Sequence, residues 1–473
     1  MEHLPEDVLL TVMQYLDVPD LLACRLVCKR IGGLALHPHV WRRQRVSDHN
    51  RYLLPVLRLA PCLASLSVVL PADHQQLYSI TRCAVSSLSL IVQDGSAVFA
   101  ALVIANQEML GRLRNLDVRY WAEETVADAP ALLWPVAFTS GLVALAVSVS
   151  DRHEYVISTN SLPTARPRSS LRTFTCNLRP DLGPFCDFVL ASHADTLEDV
   201  DLEGNCNFST SALTSTASLL AGIPNLRGLY HCPLLPGLDA VAACESLELV
   251  SLGVGCSRMR DAVPQAKEFL RRAKQLRNVT LEYREEASIN GVGVDLVLAL
   301  VSSGPSLVES LTIDINEYLF STFDLQPQLQ PVISALPLMP ALRELELDTA
   351  SEALLLAITP ATNPALRTIK LHPTESNAPR CAHGYLHWES VETLLSKNPS
   401  LDLIVYASYY CDELDPNACE PCELGCHGEV WESEWFEECA YMLEHGDDGH
   451  CTDWITIPRL NLSPVLIDST ATP

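Results

Sequence analysis

A chain of 473 residues, 48% hydrophobic and 19% charged, is too long for one ordinary core and too apolar to stay unfolded throughout. It calls for several domains or an elongated repeat array. Lys and Arg number 32 against 58 Asp and Glu, and the net charge of -26 excludes broad phosphate-backbone binding, leaving room only for a local basic patch.

The start, MEHLPEDVLL, is acidic and has no basic region ahead of an apolar core, so no secretory leader is read there. The 17 cysteines are odd in number, and several (Cys24, Cys28, Cys176, Cys244) sit in apolar segments. Both features fit reduced, packed thiols in a reducing compartment, cytoplasmic or nuclear.

Leu4 to Trp41 carries the clearest local pattern. Pro5 suits a first helical position, and Glu6 and Asp7 complement a helix N-terminus. Val8, Leu9, Val12, Met13 and Leu16 fall on one apolar face. Asp17-Val18-Pro19-Asp20 ends this helix and starts a second, along which Leu21, Cys24, Cys28, Ile31 and Ala35 continue at helical spacing to His37-Pro38. The expectation is a small helical hairpin with more apolar surface than it can bury alone.

The pattern resembles the F-box, the module by which substrate receptors of cullin–RING ubiquitin ligases dock onto the Skp adaptor. Leu4-Pro5, the apolar pairs, Asp17-Val18-Pro19-Asp20-Leu21-Leu22, Val27-Cys28-Lys29-Arg30, Leu34 and Trp41 match without an inserted or deleted residue. Ile31 stands where the family often has Trp. The resemblance implies adaptor contacts at Leu4, Pro5, Val8, Leu9, Val12, Leu16, Leu21, Leu22, Val27, Cys28 and Trp41.

After Trp41 a basic, apolar stretch reads as a helical joining segment up to Pro55 or Pro61. Beyond it an L-x-x-L-x-L-like signature recurs thirteen times, from Leu63-Leu66-Val68 through Leu226-Leu229-His231 to Leu401-Ile404-Tyr406, at steps of 21 to 35 residues. Helical segments are expected between strands at Ala97–Leu110, Pro264–Gln275, Asp295–Val301 and Ser390–Lys397. The uncharged run from Ala129 to Ser150 approaches bilayer length, but Pro130, Pro135 and Gly141 interrupt it. It reads as a buried helix, a turn and a strand. Strand, helix and turn repeated at such a period must stack on their neighbours, as in a leucine-rich-repeat solenoid.

In such a solenoid the residues between the leucines line the strand face. They are Asp117, Thr175, Asp201, Tyr230, Ser251, Thr280, Thr312, Glu346 and Lys370, with Asp199, Glu344 and Asp348 nearby. This mixed, mildly acidic row suits a protein partner, and Asp117, Asp199, Asp201, Tyr230 and Glu346 are the candidate substrate contacts.

Cys411 to Asp453 holds fourteen Asp or Glu and no Lys or Arg. Cys419-x-x-Cys422-x-x-x-Cys426-His427 offers zinc-compatible spacing, but no second knuckle follows, so the segment reads as an acidic tail or cap with reduced cysteines. No phosphate loop, nucleophile elbow, H-E-x-x-H helix or dinucleotide fingerprint is present in the sequence.

The expected fold is therefore α/β: an N-terminal helical F-box (1–45), a joining segment (46–62), an irregular leucine-rich-repeat solenoid with strands inside and helices outside (63–410), and a tail (411–473). The expected role is that of a non-catalytic substrate receptor. It would bind the Skp adaptor and, through it, a cullin, and hold a protein substrate on the solenoid. No cofactor, metal, nucleic acid or membrane is expected. The competing expectations are a non-ligase repeat scaffold with the hairpin as its cap, and a metal-dependent enzyme built around the tail.

Overall fold

Alternation of buried and half-buried residues along short extended segments, each followed by an apolar helix, dictates the architecture. In the computed structural model every strand from 45 to 407 lies parallel to the strand before it within its own unit. The structure describes residues 4–93, 95–122, 129–151, 168–203, 213–255, 257–283, 291–315, 329–347, 351–371, 389–407 and 453–456. The chain divides into two units, Met1–Leu247 and Glu248–Pro473.

The first unit opens with four short helices, α1 (Glu6–Met13), α2 (Val18–Cys24), α3 (Lys29–Ala35) and α4 (Pro38–Trp41). The strands β1 (Arg45–Ser47), β2 (Cys62–Leu70), β3 (Ala84–Gln93) and β4 (Asn115–Ala122) follow. After them come β5 (Ala144–Asp151), β6 (Thr173–Cys176), β7 (Asp199–Asp201) and β8 (Gly228–Pro233). Helices α5 (Leu53–Leu59), α6 (Gln76–Ile80), α7 (Ala97–Met109), α8 (Ala129–Phe138), α9 (Gly183–His193) and α10 (Thr216–Ala221) alternate with them.

The second unit repeats the plan. Its strands are β9 (Leu249–Val254), β10 (Asn278–Tyr283), β11 (Ser310–Ile315), β12 (Glu344–Leu347), β13 (Thr368–Leu371) and β14 (Asp402–Ala407), with β15 (Asp453–Thr456) antiparallel to β14. Its helices are α11 (Val263–Arg272), α12 (Leu296–Val301), α13 (Leu329–Ala335), α14 (Glu352–Ala357) and α15 (Glu389–Lys397). This is the expected α/β class: N-terminal helices, then a solenoid-like succession of parallel strands with helices around them.

Register explains the core. Leu66, Leu88, Leu116, Leu145, Phe174, Val200 and Leu229 are paired across β2 to β8, and all are buried. In the second unit Val250, Val279, Leu311, Leu345 and Ile369 form the equivalent row. The first leucine of each motif is also buried, so the stacked units share one apolar seam within each unit. The 129–150 run is the helix α8, a turn and the strand β5, as read. No helix of the described residues is long and apolar enough to cross a membrane.

Four expectations are corrected. The N-terminal segment is not a two-helix hairpin: Cys28 is extended (φ -160°, ψ 167°) and caps a separate helix, its Sγ accepting from the Ile31 N–H at 3.4 Å. Nor is the stretch after Trp41 one helix, because Arg45–Ser47 is already a strand paired with Ser65–Ser67. Near the end of β8 His231 does not point inward; its backbone is left-handed (φ 44°), its side chain is exposed, and Cys232 takes the buried position. In β14 the ladder starts when Asp402 N–H donates to the Arg367 carbonyl at 2.7 Å, so Leu403 rather than Ile404 aligns with Ile369.

Candidate functional site

The helix α1 and the residues flanking it carry two apolar stripes. Leu9, Met13 and Leu16 turn inward, while Leu4, Val8, Val12 and Tyr15, spaced four, four and three apart, turn to solvent. Leu26 and Val27, in the turn after α2, are exposed as well. Tyr15 and Leu26 each leave 80% of their surface free and Val27 leaves 69%, more than single stray apolar residues require.

The surrounding helices hold this surface in place. Asp17 Oδ1 accepts from the Asp20 N–H at 2.9 Å and caps α2. Arg30 Nη2 donates to the Leu4 carbonyl at 2.7 Å, tying the leading residues to α3. Gln44 Nε2 donates to the Leu16 carbonyl at 2.9 Å. Gly32 lets α3 approach the end of α2, since a Cβ there would stand 2.7 Å from the Arg25 carbonyl oxygen.

Of the eleven residues expected at the adaptor interface, Leu4, Pro5, Val8, Val12, Val27 and Cys28 are exposed, and Leu16 and Leu22 are half-buried. Leu9, Leu21 and Trp41 are not surface residues: they are at most 4% exposed, and Trp41 Nε1 donates to the Ala35 carbonyl at 2.6 Å. They form the small core under the exposed stripe, because a short helix must turn one apolar face inward before it can offer another. Tyr15 and Leu26 were missed, although Tyr15 continues the series of Leu4, Val8 and Val12 at an i+3 step.

The strand face is as expected in register. Asp117, Ala146, Thr175, Asp201 and Tyr230 lie side by side in the first unit, and Ser251, Thr280, Thr312, Glu346 and Lys370 in the second. The structure brings Asp199, Asp201 and Tyr230 together on β7 and β8. Asp199 and Tyr230 share a side-chain hydrogen bond that passes over Gly228, where a Cβ would meet both at 2.6 Å. Burial, with Glu198 beside it, raises the Asp199 pKa against the opposing pull of Tyr230 and Arg227.

Asp201 Oδ1 lies 2.9 Å from His231 Nδ1. Asp117, on β4, accepts from Ser89 Oγ at 3.0 Å and faces Arg119 Nε at 3.4 Å. Glu346 belongs to the second unit, where Lys370 Nζ stands 3.8 Å from it and 2.6 Å from Glu344. Ser251 Oγ donates to the buried Glu282 carboxylate, a pair unforeseen in the sequence. Asp348 and the acidic cysteine-bearing tail lie outside the described residues.

Comparison with known proteins agrees with the N-terminal geometry. Residues 1–47 match the F-box-like family and form an F-box-like domain. A chain in the crystal structure of the Rad7 and Elc1 complex in yeast is similar over 84% of this chain and 92% of its own length, at 14% identity and a TM-score of 0.38. No curated protein matches the chain.

Proposed function

We propose that this protein is the substrate-recognition subunit of a Skp–cullin–F-box ubiquitin ligase. The observation that carries the reading is the outward stripe Leu4, Val8, Val12 and Tyr15 with Leu26 and Val27, held free of its own chain in a domain that matches the F-box-like family. A few buried anchors, aromatic ones such as Tyr15 favoured among them, dominate the energy of a protein interface. The repeats, read as leucine-rich, would hold a protein substrate on the strand face through Asp117, Asp199, Asp201, Tyr230 and Glu346. The role is non-catalytic: the chain brings a substrate near a ubiquitin-charged enzyme bound elsewhere in the complex, and its contribution is proximity and orientation. The cytoplasm or nucleus is the compartment such a role requires.

Co-expression of the full chain with a Skp adaptor tests the docking. Val12→Asp combined with Leu26→Asp should abolish co-purification while far-ultraviolet circular dichroism stays unchanged, since both side chains are exposed. Undiminished co-purification removes this surface from consideration. Recovery of cullin and ubiquitylated species with the wild-type chain separates a ligase subunit from a scaffold.

A further inference from the structure

A second site lies on the first unit, where the F-box-like domain passes into the sheet. Arg45, Ser65, Ser87 and Asn115 occupy one register position on β1, β2, β3 and β4, so their side chains form a polar row across four strands. They alternate with the buried Val46, Leu66, Leu88 and Leu116 and therefore share the face away from the core. Above this row opens a cavity of about 380 Å³, rimmed by Arg42, Arg45 and Arg112.

The cations are fixed by the backbone that carries them. The Ala64 N–H donates to the Gln44 carbonyl at 2.9 Å and seats the segment bearing Arg45 on β2. Gly111, at φ 73°, ends α7 with its N–H on the Glu108 carbonyl at 2.8 Å. Three residues on, the Arg114 N–H donates to the Ser86 carbonyl at 2.9 Å, so Arg112 is presented between two anchored points.

Several other arginines are matched with carboxylates: Arg119 with Asp117, Arg172 with Glu198, Arg179 with Asp181, Arg271 with Glu268. Among the described residues no carboxylate is paired with Arg42, Arg45 or Arg112, and Arg42 meets only His39 Nε2 at 3.5 Å. In a chain of net charge -26, three converging guanidinium groups left without acidic partners point to an anion supplied from outside.

We infer that this cavity binds a single phosphate group. Guanidinium forks match its oxygens in pairs, and the serine hydroxyls and Asn115 amide can donate to those remaining. A long polyanion would meet the acidic remainder of the chain, so one compact dianion fits the charge distribution better than nucleic acid does. Free phosphate and a phosphorylated serine side chain offer the same group, and their relative affinity tells them apart.

The test is calorimetric titration of the full chain with inorganic phosphate and, separately, with O-phosphoserine, at ionic strength held constant with sodium chloride. Saturable binding of either supports the inference. Tighter phosphate assigns the free anion, and tighter O-phosphoserine assigns a modified side chain. Arg45→Gln and Arg112→Gln should each weaken binding about tenfold, the loss of one charge-assisted contact. Ser87→Asp, which keeps all three arginines but places a carboxylate in the row, should abolish it. Arg367→Gln, in the second unit, should leave it unchanged. Absence of saturable binding of both probes, or binding unaltered in all three cavity variants, overturns the inference.

Discussion

Gln107 Oε1 accepts the backbone N–H of Val85 at 2.9 Å, across 22 residues of sequence. Its Nε2 donates to the Cys83 carbonyl at 3.1 Å, and the side chain is fully buried. One amide on α7 thus replaces the pair of backbone bonds that the entry to β3 would otherwise lack. Gln107→Leu keeps the volume but orphans a buried N–H and a buried carbonyl, each costing about 1–3 kcal/mol. Chemical denaturation should show a loss of about 2–6 kcal/mol, and a change below 1 kcal/mol would contradict the accounting.

Gly32 and Gly33 are neighbours in α3 with opposite demands. A Cβ at Gly32 would strike the Arg25 carbonyl oxygen at 2.7 Å, whereas one at Gly33 meets nothing within 4 Å. Gly33→Ala should stabilise the chain by about 0.5–1 kcal/mol through helix propensity. Gly32→Ala should destabilise the F-box-like domain by about 1–3 kcal/mol and weaken adaptor binding without touching the exposed stripe. Thermal melting and co-purification of the two variants side by side decide this, and equal behaviour would refute it.

The parts legible in the sequence are those fixed by period. The first two leucines of each motif predicted the buried seam, and every described one is buried except Ile404, where the strand begins one residue off the expected register. The row Asp117, Thr175, Asp201 and Tyr230 was equally readable, because alternation leaves no choice of face once the seam is known. Positions set by a single backbone angle were not readable. Cys28 fits helical spacing, yet its extended conformation divides one expected helix into two. His231 fits the motif, yet its left-handed backbone passes the buried place to Cys232. Composition likewise could not divide the apolar residues of α1 into inward Leu9 and outward Val8, nor bring Arg112 beside Arg42 and Arg45 from a distant part of the chain.

His193 supplies a pH signature for the first unit. It is buried on α9, its Nδ1 accepts the Ser170 N–H at 3.2 Å, and burial pulls its pKa down to about 4. The folded state therefore keeps the ring neutral below pH 6.5, where the unfolded chain takes up a proton. This group contributes no loss above about pH 6.5, and stability falls as the pH drops from there towards 4. By pH 5 the loss should reach about 2 kcal/mol relative to His193→Gln measured under the same conditions. Parallel denaturation curves for the two proteins between pH 7 and 5 would show that His193 is not held neutral.

Cys28 gives a chemical test of the proposed docking surface. It is exposed beside Leu26 and Val27, whereas Cys83, Cys176, Cys186 and Cys232 are buried. Burial raises the Cys83 thiol to about 12, and a hydrogen bond with Cys176, together with burial, raises the Cys186 thiol well above its ordinary range. Since thiolate is the reactive form, alkylation of the folded chain followed by peptide mass spectrometry should label Cys28 long before these four. Addition of the Skp adaptor at about ten times its Kd should then slow labelling at Cys28 about tenfold, since only the unbound fraction exposes the thiol. The buried thiols should keep their rates. Adaptor binding that leaves Cys28 as reactive as before would place the contact elsewhere on the domain and remove Val27 and Cys28 from the interface.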